Sequence, residues 1–452
     1  MSTLEENAYC IQGGKTLHGE VTVSGAKNVV LKVLIAALLF DEPVVFTNVP
    51  VIRDILELTH LLEDAGVKVK YNGDHEIHVD PRGFHSHTVD LLRAAKIRVS
   101  FMLFAPFLVK FGKAVIPNPG GCRLGARPID RQIELLTAFG VSTDYDSSTG
   151  YYTSTCMTKQ LEGATYKFSK QTHTGTELGL LLAVRARGRS VIENAALEPE
   201  IDDLIDFLNK SGAKIYRQGS SIVVDGVSHL RAPDRPHRIL ADRNEVVTFA
   251  CAALASKGDI IVHGAIAGQL STFLSQLDMI GGRYQTSNAG IRFWYEAPLR
   301  ACSITTAPEP GFMTDWQAPW AVMMTQAEGV STIHETIFEN RFGYVSELRR
   351  LGAKIHFRLP VVRDPHSTYQ FNIKKTAALE KLIKKQMIDI TGPTPLHGGV
   401  VNVTDLRAGA TLVIAACIAR GESVVNGVSI IERGYEHLEQ KLQKLGADIV
   451  RV

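Results

Sequence analysis

Surplus charge is the first thing the 452-residue sequence lacks: 49 Lys and Arg stand against 47 Asp and Glu, a formal net charge of +2. That excludes a polycation of the kind that coats nucleic acid, although a local basic cluster stays open. Aromatic residues are 7% of the chain, too few for a platform on which bases stack. Long apolar runs are missing as well. The stretch 29–40 is interrupted by Lys32 and the stretch 101–109 by Pro106. Both fall short of the roughly 20 apolar residues that a membrane span requires. The first ten residues are polar and acidic, without a basic start or an apolar stretch, so no secretory signal is expected. Cys10, Cys122, Cys156, Cys251, Cys302 and Cys417 are widely spaced with no C-x-x-C pair. A zinc cage and a disulfide framework are therefore disfavoured, and a reducing cytoplasm is the default location. No Walker loop occurs and no G-x-G-x-x-G follows a strand, so ordinary nucleotide-fold readings fail. His85 and His87 are too isolated for a metal site, and a solvated turn accounts for them.

What the sequence does have is repetition. An internal period of about 70 residues recurs six times. Each unit ends in an amphipathic helix, a glycine and an alternating strand. Ile55, Leu58, Leu61 and Leu62 lead to Gly66; Ile129, Ile133 and Leu136 to Gly140; Ile201, Leu204 and Leu208 to Gly212. Leu270, Phe273 and Leu277 lead to Gly281; Tyr344, Leu348 and Leu351 to Gly352; Leu438, Leu442 and Leu445 to Gly446. Spacing of three and four puts one helix face on a core, the glycine supplies a left-handed cap, and period two then marks a strand. Most units open with a second, more apolar helix, as in 29–39, 178–184, 246–255 and 411–419, each followed by a short strand. The expected fold is α/β in two similar lobes of three units each, over about 28–230 and 237–452, with a cleft between the lobes. The stretch 231–237, with two prolines and several charges, reads as the linker. An excursion over about 357–399, carrying Lys374 and Lys375 and a helical pattern in 377–387, delays the sixth unit. It reads as a surface decoration or a partner site.

Cations recur in polar loops beside small residues at the unit starts: Lys27, Arg98, Arg123, Arg127, Arg341, Arg407 and Arg433. Lys27 precedes an apolar helix, so its ammonium and the helix amides could share one anion. Planar guanidinium groups bind phosphate and carboxylate bidentately. Singly, each cation could equally cap or pair on a surface; as a set in both lobes they point to an anion site. Cys122 lies among glycines between Arg123 and Arg127, neighbours that raise its thiolate fraction, and is the one cysteine expected to be chemically active. Asp315 is a candidate base, although an Asp before an apolar helix is also an ordinary N-cap.

These stretches resemble the enolpyruvyl transferases nearly end to end, apart from the 357–399 excursion. The matching words are GGKTLHGEVTVSGAKN at 13–28, DEPVVFTNVP at 41–50, PGGCRLGARPID at 119–130 and IENAALEPEI at 192–201. TAPEPGFMTDWQA at 306–318, ETIFENRF at 335–342, TDLRAGATLV at 404–413 and ERGYEHLEQKL at 432–442 complete the set. The loop PGGCRLGARP, with its thiol, points to the sugar-nucleotide branch.

The resemblance implies that each lobe is an inverted, inside-out α/β barrel of three repeats. It places 28–232 in one lobe and 1–27 with 233–452 in the other. It implies transfer of the enolpyruvyl group of phosphoenolpyruvate to the 3-hydroxyl of UDP-N-acetylglucosamine by addition and elimination, with phosphate released. That step commits sugar nucleotide to peptidoglycan. The alternative is the same chemistry on another acceptor, shikimate 3-phosphate or a different sugar nucleotide. The implied phosphoenolpyruvate ligands are Lys27, Arg127 and Arg433; Arg98 lies near the phosphates and Asn28 near the sugar hydroxyl. Cys122 is the implied general acid and the target of thiol-directed phosphonate epoxides such as fosfomycin. Asp315 takes the hydroxyl proton. Arg341, Asp405 and Arg407 are further cleft residues, with Arg407 counted as catalytic; Ile337 offers a backbone contact to the sugar. Arg127, Pro128, Ile129 and Asp130, with Lys170, form the uridine diphosphate segment. No metal or organic cofactor is implied, and no nucleic-acid or membrane partner. Two departures fall in the nucleotide region: Gln132 stands where the family has His, and the segment 170–177 reads as one residue longer than the family's.

Overall fold

The structure, a computed structural model, describes residues 7–121, 124–125, 128–371 and 376–452. They form a mixed α/β chain in two compact units: 25–121 with 128–240, and 7–24 with 124–125 and 241–452.

In each unit the most apolar helices are inside and the sheets outside. In the unit 241–452, helices Arg243–Ala255 and Gln317–Met324 are buried at every residue, and Leu406–Ile418 at every residue but the last. A helix apolar all round has no face to offer water and must pack centrally; these three pack on one another. The amphipathic helices Ser271–Ile280, Tyr344–Arg350 and Leu438–Lys444 each bury one face beside them. Three four-stranded sheets complete the unit. One of them takes strand Ala8–Gln12 between Glu422–Asn426 and Asp448–Arg451, antiparallel to both.

The unit 25–240 repeats the plan. Helices Lys27–Ala36, Phe104–Phe111 and His173–Ala183 are largely buried, and Arg53–Asp64, Asp130–Ala138 and Pro199–Lys210 are the amphipathic partners. Two four-stranded sheets and one three-stranded sheet surround them. All six amphipathic helices end as the glycine pattern requires. Gly66, Gly140, Gly212, Gly281, Gly352 and Gly446 have φ between +74° and +94°, a backbone state that costs a side-chain-bearing residue about 1–2 kcal/mol.

The excursion is narrower than the sequence pattern suggests. Strand Met387–Gly392, inside the range 357–399, pairs with Gly329–His334 and with Lys354–Phe357, and so belongs to its sheet. The extra segment is the 29 residues 358–386, where the corresponding turns of four other sheets have between two and five. It holds helices Pro365–Thr368 and Thr376–Ile383 and a small core of Tyr369, Phe371, Leu379 and Ile383, with Val362 against it. Lys374 and Lys375 lie outside the described residues.

Candidate functional site

Of the polar residues singled out from the sequence, Lys27, Asn28 and Arg407 stand in the first turns of inner helices, and Asp315 and Asp405 just precede one. Asp242 caps Arg243–Ala255 by accepting from the N–H groups of Asn244 and Glu245. Asp405 caps Leu406–Ile418, accepting from Arg407 N at 3.0 Å and Ala408 N at 3.2 Å. Asp315 precedes Gln317–Met324 yet does not cap it, because Trp316 occupies the cap position without a side-chain bond. The Asp315 carboxylate instead accepts from Arg341 Nη2 at 2.6 Å and from Arg407 Nε at 3.2 Å. Arg341 lies a further 3.6 Å from Asp405. Of the two roles open to Asp315, the geometry excludes the cap.

Both arginines are buried, with 3% and 4% of their surface exposed, so neither is a surface cap. A cation in the first turn opposes the helix dipole, which means Arg407 contributes nothing there to helix stability as such. Burial alone would lower its pKa; Tyr435, Asp315 and Asp242 outweigh burial and hold the guanidinium well above its ordinary range. Its carbon sits 5.2 Å from the centre of the Tyr435 ring, and the Tyr435 hydroxyl bonds Thr248 Oγ1 at 2.8 Å. For Arg341, burial is again overcome, here by Asp315, Asp405 and Glu335. Arg407 Nη1 and Arg341 Nε are buried and make no hydrogen bond among the described residues. A buried cationic donor left over in this way is what an anionic or polar ligand would satisfy.

Glu335 lies fully buried beside them. Its oxygens accept from Ile337 N at 2.7 Å, Phe338 N at 3.1 Å, Thr314 Oγ1 at 2.8 Å and Gln317 Nε2 at 3.3 Å. Burial pushes its carboxyl up, against the pull of Arg341 and these bonds. The side chain thus shapes the turn that presents half-buried Ile337. Arg433 is half-buried two residues before Tyr435.

In the unit 25–240, Lys27 is the first residue of its inner helix, and Ala26 before it offers no side-chain cap. The Lys27 ammonium is 2.7 Å from buried Asp54 on helix Arg53–Asp64. Asn28 follows, half-buried; its carbonyl accepts from Lys32 Nζ at 2.7 Å. Lys32, the charge that interrupts the apolar run, is 3.2 Å from Glu177, and His173 Nδ1 is 3.5 Å from the same carboxylate. Glu177 is wholly buried, and burial, opposed by Lys32, pushes its carboxyl up to about 8. Glu177 Oε1 has no hydrogen-bond partner among the described residues.

The two departures from the family's pattern meet. Gln132 Nε2 donates to Thr174 Oγ1 at 3.3 Å, while buried Gln132 Oε1 finds no partner among the described residues. Thr172 caps helix His173–Ala183 through Gly175 N at 3.2 Å, and half-buried Lys170 stands just before it. Ile129 is buried at the cap position of helix Asp130–Ala138, between exposed Pro128 and exposed Asp130. Arg98 opens the turn Arg98–Leu103, with its guanidinium 5.9 Å from the Phe101 ring centre. Gly120 and Gly121 press against this stretch. A Cβ on Gly120 would lie 1.9 Å from the Ala95 carbonyl oxygen, and Gly121 has φ +100°. Cys122, Arg123 and Arg127 lie outside the described residues.

The structure therefore brings Asp315, Arg341, Asp405 and Arg407 into one cluster, sets Lys27 and Asn28 on one helix start, and places Lys170 near the contact of Gln132 with Thr174. Sequence reasoning missed Asp54, Glu335, Tyr435 and the Lys32–Glu177 pair. Glu335 and Tyr435 stood inside the quoted words ETIFENRF and ERGYEHLEQKL; nothing local marked Asp54. Among the described residues no helix is long and apolar enough to cross a membrane, and no group of three or more His, Cys, Asp or Glu is arranged to hold a metal ion.

Comparison with known proteins finds relatives over nearly the whole chain. The model of the family described as EPSP synthase (3-phosphoshikimate 1-carboxyvinyltransferase) matches residues 11–442. Curated proteins named UDP-N-acetylglucosamine 1-carboxyvinyltransferase from Brucella ovis and Brucella canis are each 38% identical over 453 aligned positions, covering 98% of this chain and 98% of theirs. Among solved structures, the enolpyruvyl transferase NikO from Streptomyces tendae superposes with a TM-score of 0.84 at 24% identity, covering 98% of each chain. An EPSP synthase from Acinetobacter baumannii superposes with a TM-score of 0.71 at 16% identity, covering 98% of this chain and 100% of that one. The structural matches establish the fold, and with the match over 11–442 and the full-length relatives they show that this chain is a transferase belonging to the EPSP synthase family of 1-carboxyvinyltransferases.

Proposed function

We propose that this chain transfers the enolpyruvyl group of phosphoenolpyruvate to the 3-hydroxyl of UDP-N-acetylglucosamine, releasing phosphate, as the first committed step of peptidoglycan synthesis in the cytoplasm. The observation that carries the acceptor is the 38% identity, over 98% of both chains, to proteins named for that reaction. The geometry that supports the chemistry is Asp315 between two buried guanidinium groups, each with a donor to spare among the described residues.

In this reading a proton reaches C3 of phosphoenolpyruvate from Cys122, and C2 gains oxocarbenium character. Asp315 takes the proton of the 3-hydroxyl as its oxygen bonds to C2. The tetrahedral adduct then returns a C3 proton to the Cys122 thiolate as phosphate leaves from C2, which restores the double bond. The hydroxyl turns acidic as it bonds to an electron-poor carbon, so the Asp315 carboxylate, oriented by Arg341 and Arg407, can take its proton. Such proton transfer contributes about 10²–10⁴-fold. Lys27, Arg127, Arg407 and Arg433 offset the charge of phosphate and carboxylate, a contribution greatest where the donors are fixed before the substrate arrives. Asn28 and the Ile337 backbone hold the sugar; Arg98, Lys170 and the segment Arg127, Pro128, Ile129 and Asp130 hold the uridine diphosphate. Arg341 and Asp405 fix the orientation of Asp315.

The test is phosphate release from phosphoenolpyruvate with each acceptor in turn. Release that depends on UDP-N-acetylglucosamine and is absent with shikimate 3-phosphate is the expected result. Release only with shikimate 3-phosphate or with neither acceptor, from folded protein, removes the assignment.

A further inference from the structure

Residues 334–339 form the turn between strand Gly329–His334 and Arg341, and this turn carries Ile337 and Glu335. From one side the Glu335 carboxylate takes its Ile337 and Phe338 N–H groups and is itself held by Thr314, the neighbour of Asp315. From the other side Thr306 bonds both Thr336 and the His334 carbonyl, and the 29-residue segment 358–386 adds further contacts. The Tyr369 hydroxyl is 2.8 Å from His334 Nε2, and the Gln370 N–H donates to the Thr336 carbonyl at 2.8 Å. The Glu335 N–H donates to the Gln386 carbonyl at 2.8 Å, and Gln386 Nε2 donates to the Glu339 carbonyl at 2.7 Å. Four hydrogen bonds from the segment therefore fall on six residues. Tyr369 and Gln386 are 1% and 0% exposed. A decoration would turn such groups to water; here the Tyr369 hydroxyl and Gln386 Nε2 are desolvated against the turn, while Gln386 Oε1 is buried with no partner among the described residues. The segment's own core is five side chains apart from the main cores, so its order depends on what it docks against. The equivalent turns of four other sheets are too short to reach anything comparable.

We infer that the segment 358–386 is a brace that fixes the turn 334–341 from outside, and that Tyr369 and Gln386 are positioning residues for the acceptor. The inference rests on the proposed function in one respect: it takes Ile337 to face the sugar nucleotide. The brace acts on where the acceptor binds and leaves phosphoenolpyruvate capture, assigned to Lys27 and Arg433, untouched.

The experiment uses the full-length protein with Tyr369→Phe and Gln386→Leu, singly and together. Tyr369→Phe keeps the ring in its place, so it reads the hydrogen bond even where the double variant is weakened. The double variant is expected to raise the KM for UDP-N-acetylglucosamine about tenfold, the equivalent of two neutral hydrogen bonds, and the single variants about threefold. The KM for phosphoenolpyruvate should stay within about twofold. The amides of 335–340 should exchange at least about tenfold faster, with those of 408–416 unchanged. Equal rises of both KM values, a change in kcat alone, or unchanged exchange at 335–340 overturns the brace. Should the wild-type protein fail to turn over UDP-N-acetylglucosamine, the proposed function falls, while the exchange comparison still decides the brace.

Discussion

Replacing Asp315 by Asn keeps the side-chain shape and removes the charge that Arg341 and Arg407 share. Two charge-assisted bonds, at 2.6 and 3.2 Å, lose their ionic partner, and each is worth about 1.5–3 kcal/mol. Part of that is retained. The amide oxygen still accepts from one guanidinium, Arg341 keeps Asp405 at 3.6 Å, and Arg407 keeps the Tyr435 ring at 5.2 Å. Breaking a buried ion pair outright costs about 3–5 kcal/mol, so the lower end of that range is expected here. A loss of about 3 kcal/mol corresponds to a melting temperature lower by about 6–12 °C in units of this size. Catalysis should fall much further. If Asp315 takes the hydroxyl proton, the amide cannot, and kcat/KM for phosphate release should drop about 10²–10⁴-fold at a temperature where the variant is fully folded. Differential scanning calorimetry and the phosphate-release assay read the two effects separately. An unchanged melting temperature would refute the strength assigned to the paired arginines. Retention of more than a tenth of wild-type kcat/KM would refute the proton-transfer role.

Glu177 gives a prediction of opposite sign. Its native carboxyl, near 8, lies above the unfolded value of about 4.5. Between those values the native state holds the proton more tightly than the unfolded state does, so stability falls as pH rises through the window. Glu177→Gln mimics the neutral form and should match wild type near pH 5 but exceed it near pH 8.5 by a few kcal/mol; denaturant titrations at the two pH values that show no such divergence would contradict it. Gly120→Ala places a methyl against the Ala95 backbone at the stem of the cysteine loop. Urea melts should show a loss of about 1–3 kcal/mol, and an unaltered melt would mean the stem yields freely.

The repeat was legible because its signals are local. Six glycines at helix ends, and the change from period 3.6 to period 2 around them, need no knowledge of what lies across the core. The inner helices are legible for the same reason, although the apolar pattern marks their starts late: it opens at Thr411 in the helix that begins at Leu406, because Asp405 and Arg407 look polar enough to be loop. Pairings across repeats were not legible. Asp54 meets Lys27, and Glu177 meets Lys32, only once helices distant in sequence are packed. A lysine inside an apolar helix was itself a sign that a buried carboxylate had to exist somewhere. Asp315 stood between two readings for a similar reason: whether a carboxylate caps its own helix or reaches a distant arginine is decided by tertiary contacts. The excursion was recognised but drawn too wide, since strand Met387–Gly392 has no signature that separates it from the inserted chain before it.

The inner helices divide their labour by position. From their second turns onward they are nearly all Val, Leu, Ile, Ala and Met and carry the stability of each unit, while the first turns hold Lys27, His173, Arg243 and Arg407. Under the proposed function, substrate preference can therefore drift by changes confined to a few helix-opening positions, with the packing behind them left alone. A library restricted to those openings would search new acceptors while leaving the apolar packing intact, provided it keeps the buried ion pairs of Arg243 and Arg407.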